Sequence, residues 1–211
     1  MDLEFAGKVI ALTGASRGTC LAIAERLAAE GAAVAIAARS AQELADAHAV
    51  IEGQGLKGGL GGRCLAYACD LAVPGEAAAF ITSVIEIFGR LDGLVCNGGM
   101  ALKGGADREA WQAELALNVG HAVEAIEAAA PVMHATGSIL LVAGAERDSE
   151  PWPLAGARAA LAEAARHFGK ELADQEIRVN QLVAVGSFFA DSAAFLLSAR
   201  AGGITGTTVS A

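Results

Sequence analysis

Two stretches of this chain carry residue types that could handle phosphate or protons. The first is Thr13-Gly14-Ala15-Ser16-Arg17-Gly18, set between a short apolar run and a helical pattern. Glycines in that setting let a pyrophosphate approach backbone N–H groups at a helix N-terminus. The second is Ser149 to Leu161, where Leu154 and Arg158 stand four residues apart and so share a helix face. A leucine cannot transfer a proton. An arginine stays protonated, so Arg158 suits an anion better than a proton relay. His121 lies three residues after Asn118 and can share its face, although a core or interface histidine is the expected reading. Glu146, Arg147, Asp148 and Glu150 form a charged stretch expected to be a solvated loop.

The elements that must position these residues alternate. Apolar runs at 8–12, 33–38, 63–68, 91–96, 138–143, 177–183 and 204–209 predict seven strands. Helical patterns fall at 18–30, 41–52, 74–88, 107–133, 153–173 and 191–198, and Gly53 to Gly62 predicts a flexible surface loop. Pro74 opens its helix in this reading. Such alternation predicts a Rossmann-type, doubly wound parallel α/β sheet in three layers, one domain over 1–211.

Composition narrows the function. The formal charge of -9 argues against nucleic acid, which needs a cationic surface. No apolar run approaches the ~20 residues that cross a bilayer. Asp2 and Glu4 stand where a secretory leader would be basic, and Cys20, Cys64, Cys69 and Cys96 form no CxxC pair. Buried reduced thiols and a cytoplasmic location are expected. No metal site is expected.

Taken together, Thr13 to Gly18, Asp70-Leu71, Asn97-Gly98-Gly99, Asn118 in LALNVG and Ile177-Arg178-Val179-Asn180 resemble the short-chain dehydrogenase/reductase family over nearly the whole length. The resemblance implies NAD(H) or NADP(H) and alcohol–ketone interconversion, commonly by tetramers. It implies that Gly14, Ser16, Arg17 and Gly18 meet the cofactor phosphates, Asp70 holds the adenine and Asn97 lines the ribose pocket. Arg39 would favour a 2′-phosphate, with Ala38 in place of the acid expected for NAD, and Asn118 is the family's asparagine on the long helix. The third cofactor glycine is Cys20, expected to crowd the turn.

The family's catalytic positions read differently here. Its serine is Gly144, its tyrosine Leu154 and its lysine Arg158, and the Pro-Gly that meets the nicotinamide is Ala184-Val185. The helical lid over the substrate is missing, and the one tyrosine, Tyr67, falls on the third strand. The expectation is therefore a catalytically inactive subunit, with weakly bound NADP(H)/NAD(H) or none. It would pair with an active relative through helices 107–133 and 153–173, whose Ala155, Gly156, Ala159 and Ala162 permit close approach. Gly203 to Gly206 resembles the family's second interface. An active NADP(H)-dependent reductase with an unorthodox acid, or a nucleotide-responsive binding module, are the alternatives.

Overall fold

The structure, a computed structural model, describes residues 2–57, 62–98, 107–145 and 152–211. Seven parallel strands form one sheet in the order β3-β2-β1-β4-β5-β6-β7. They are β1 (Val9–Thr13), β2 (Ala33–Ala38), β3 (Cys64–Ala68), β4 (Gly93–Cys96), β5 (Ser138–Gly144), β6 (Arg178–Ala184) and β7 (Thr208–Ser210). The helices are α1 (Gly18–Ala29), α2 (Ala41–Lys57), α3 (Glu76–Phe88), α4 (Arg108–Leu115), α5 (His121–Ala129), α6 (Trp152–Glu171) and α7 (Phe189–Leu197). The doubly wound parallel sheet expected from the sequence is present.

Because helices cover both faces, the central strands are apolar at nearly every position instead of alternating, with Thr13 and Ser138 as buried polar exceptions. In β1, Ile10 and Leu12 point into the core shared with α1, α2 and α7. Val9 and Ala11 point into the other, under α3, α5 and α6. The strand order reverses between β1 and β4, which opens a crevice at their carboxyl ends. The glycine-rich turn after β1 and the start of α6 both face that crevice.

Four boundaries differ from expectation. α2 continues through Gly53 and Gly55 to Lys57, so the first part of the predicted loop is helical. Two glycines cost ~2 kcal/mol in helix propensity. Buried Ile51 and a Gln54 Nε2 to Glu25 hydrogen bond of 3.2 Å hold the segment on α1 and offset that cost. α3 begins at Glu76, with Gly75 in a left-handed conformation between Pro74 and the helix. β7 is confined to Thr208–Ser210, since the Asn180 amide engages the backbone of Ile204 and Thr207 and holds the preceding turn outside the ladder. The long helix over 107–133 is broken by a π turn at Ala116–Gly120, where His121 N–H donates to the carbonyl of Ala116, five residues back.

Arg178 anchors the sheet to α7. Its buried guanidinium donates to the carbonyls of Leu196 at 2.7 Å and Ser198 at 2.9 Å, capping the helix C-terminus. Above that anchor only Val185 to Phe188 separate β6 from α7. The short connection leaves Val185 53% and Phe188 73% exposed, and none of its four residues lines the crevice.

Candidate functional site

The crevice is a cleft of about 1020 Å³ whose lining runs from Gly14, Ser16 and Arg17 past Asn97 to Gly144 and Arg158. Gly18, Arg39, Asn118 and Leu154 also face it. The fold therefore brings together both residue groups singled out in the sequence.

At the phosphate end, Gly14 has φ +63° and its N–H donates to Ala37 O at 2.8 Å. A Cβ there would collide with the Asn97 carbonyl oxygen, so the turn tolerates glycine alone. Gly18 has φ +62° with open space where its Cβ would point. Arg17, the N-cap of α1, makes no side-chain cap hydrogen bond, which leaves the helix N-terminus turned to the cleft. An open cradle of this kind fits a phosphate. Cys20 does not crowd it as expected. Its side chain is fully buried in the core, and the thiol pairs with the Asn97 side chain. Burial pushes this thiol up to about 12, so it is inert.

At the other end, Gly144 is exposed with empty space at its missing Cβ, and Leu154 and Arg158 lie one turn apart on α6. The Arg158 carbonyl accepts from Gln181 Nε2 at 2.9 Å, which fixes α6 to β6. Tyr67 sits on β3 against Phe80, with ring centroids 5.7 Å apart, and does not line the cleft. Asp70 is exposed after β3 and accepts the Ala72 N–H at 3.1 Å, while its neighbour Leu71 reaches the cleft.

Asn118 lies inside the π turn, and its Nδ2 donates to the Glu114 carboxylate at 2.6 Å and the Glu114 carbonyl at 3.1 Å. His121 is a core residue, as expected. Its Nε2 lies 3.1 Å from Thr13 Oγ1, and the Leu117 backbone one turn earlier also hydrogen-bonds the ring. Burial pulls the imidazole down to about 4, so it is neutral at pH 7. The charged stretch at 146–150 and Gly99 lie outside the described residues.

Two acids in this site were not foreseen from the sequence. Glu114 is buried one turn before Asn118, a spacing that places both on one face. Glu43 lines the cleft, and the Ser40-x-x-Glu43 pattern, a helix-start signature, was the available signal.

The short chain dehydrogenase family matches residues 8–194. The chain belongs to the short-chain dehydrogenase family. An uncharacterized oxidoreductase of Methylorubrum extorquens is 32% identical over 180 residues, covering 82% of this chain and 71% of that protein. A short-chain dehydrogenase/reductase of Serratia marcescens superposes with a TM-score of 0.87 at 28% identity, covering 98% of this chain and 97% of the other. A short chain dehydrogenase of Burkholderia cenocepacia, solved in complex with NADP, superposes at 0.85 with 28% identity, covering 98% and 96%.

Among the described residues no helix is long and apolar enough to cross a membrane, and no cluster of His, Cys, Asp or Glu could hold a metal ion.

Proposed function

We propose that this chain is a non-catalytic member of its family, retained as a supporting or regulatory subunit beside an active dehydrogenase. The observation that carries the reading is the side chain at 154. In the cleft, where a ketone reduction needs a proton donor, stands Leu154, and the chain's single tyrosine is on β3. General acid–base help is worth about 10² to 10⁴ in rate. Gly144 offers no hydroxyl to a substrate carbonyl, and the β6–α7 connection offers no enclosure.

The cleft suits the phosphate half of a dinucleotide better than its reactive half. Gly14, Gly18, Arg17 and Arg39 would hold NADP(H), as the Burkholderia neighbour's complex suggests, and the bound nicotinamide would supply hydride. This chain's Ala184 and Val185 do not line the cleft, so affinity for the whole dinucleotide is weak or absent.

Assembly would use α4 and α6. Trp152 is 63% exposed and Leu115 38% exposed, beside exposed Ala159. Farther along α6 the outward residues are Glu163, Arg166, His167, Lys170 and Glu171, so the exposed apolar residues lie in the helix's first half instead of along its full length. A pairing of an inactive with an active subunit would resemble the heteromeric 2-[hydroxy(phenyl)methyl]succinyl-CoA dehydrogenase, in which one subunit is a degenerate family member. The test has two arms. The purified chain should show no nicotinamide-dependent turnover, and co-expression with a complete family relative should yield a mixed oligomer by light scattering. Steady turnover by the pure chain would sink the reading, as would a monomer that ignores every relative.

A further inference from the structure

The phosphate turn already holds an anion of its own. Ser16 Oγ donates to Glu43 Oε2 at 3.0 Å, and Arg17 Nη1 donates to Glu43 Oε1 at 3.1 Å. Both donors line the cleft, as do Arg39 and Ser40 on the same side.

Local sequence does not require this. Ser40 caps α2 by accepting the Glu43 N–H at 3.2 Å, the first half of a capping box. The second half would return the Glu43 carboxylate to the Ser40 N–H. Instead both carboxylate oxygens are turned toward residues 26 and 27 positions earlier in the chain. The helix gives up a local contact, and the carboxylate takes the hydroxyl and guanidinium that a ligand phosphate at this end would use.

We propose that Glu43 is an internal competitor for the phosphate subsite beside Arg17 and Arg39, and sets this cleft against 2′-phosphorylated nucleotides. The inference rests on the reading above that the cleft takes a nucleotide. A phosphate arriving there must displace the carboxylate from Ser16 and Arg17, or lie beside it as a like charge. A nucleotide without a 2′-phosphate meets neither demand. Glu43 thereby opposes the NADP(H) bias that Arg39 alone would give.

Calorimetry with 2′,5′-ADP and 5′-AMP tests this on the wild-type chain, Glu43→Gln and Glu43→Ala, with circular dichroism verifying that each variant is folded. Glu43→Gln keeps the shape and removes the charge; Glu43→Ala removes the hydrogen bonds as well. Both should bind 2′,5′-ADP at least tenfold more tightly than the wild type, while 5′-AMP changes less than threefold. If 2′,5′-ADP binds the wild type and the variants equally, or the variants less tightly, the competitor role is overturned and the nucleotide cleft stands. An equal gain for both probes also overturns it, since the selectivity is then absent. If neither probe binds any of the three folded proteins at millimolar concentration, the nucleotide reading itself falls and takes this inference with it.

Discussion

Thr13 Oγ1 sits 3.1 Å from His121 Nε2, and the same hydroxyl accepts the Asn97 N–H at 3.0 Å. One side chain thus ties the ends of β1 and β4 to the first residue of α5, directly beneath the phosphate turn. The fold needs that imidazole neutral. Its pKa falls from 6.5 to about 4 because of burial. A base depressed in the folded state gives stability that is full above the unfolded pKa and lost as pH falls toward the folded one. The loss between pH 6.5 and 4 should reach about 3 kcal/mol. Urea unfolding at several pH values should show that slope in the wild type, and His121→Gln should flatten it. Identical slopes in the two proteins would contradict the assignment.

Gly14 and Gly18 share positive φ but differ in surroundings, which separates a fold requirement from a ligand requirement. Gly14→Ala forces a Cβ into the Asn97 carbonyl and should cost about 2 to 4 kcal/mol. Gly18→Ala meets only the φ penalty, about 1 to 2 kcal/mol, yet its methyl stands in the open cradle. Denaturant melts should rank the two in that order. The reverse order would mean that the carbonyl contact is relieved by a backbone shift.

α6 approaches α4 through a missing side chain. A Cβ on Gly156 would collide with the Trp111 indole, which itself packs edge-on against Trp152 at 4.8 Å between centroids. Gly156→Ala should cost about 1 to 3 kcal/mol and change the tryptophan emission. In a Trp111→Leu background the same change should cost much less, a coupling that a double-mutant cycle measures. Additive costs would show that the helices already have room.

Rebuilding the family's side chains should not rebuild turnover. Leu154→Tyr, Arg158→Lys and Gly144→Ser together restore groups worth about 10² to 10⁴ in rate. The chain still has Ala184-Val185 at the end of β6 and Val185 to Phe188 in place of a lid. NADPH oxidation with simple ketones should stay within tenfold of background; a hundredfold rise would show that the short connection suffices.

The sheet was legible because its central strands are buried on both faces, so runs such as Ile139 to Val142 read as unbroken apolar stretches. The phosphate turn was legible because glycine is forced at Gly14 by close approach to the Asn97 backbone, and a glycine-rich turn between a strand and a helix shows in sequence. The π turn was not, since an extra residue in a helix leaves no mark in composition. The end of α2 was misjudged because tertiary packing overrides the local cost of Gly53 and Gly55. Cys20 was misjudged too: a thiol is small enough to fill the core beside Asn97. The Glu43 contacts with Ser16 and Arg17 depend on how α2 lies against the turn, which spacing alone does not fix.

The Val185 to Phe188 connection also has a meaning in chain entropy. Closing a loop costs free energy that grows only with the logarithm of its length, so about 24 residues in place of these four would cost about 1.5 kcal/mol more. Both ends are already pinned, by the Val185 N–H on the Ala211 carbonyl at 2.6 Å and by Arg26 on Asp191 at 2.7 Å. This rim is therefore a tolerant insertion point, where cover over the cleft can be lost or gained while the sheet beneath keeps nearly the same stability.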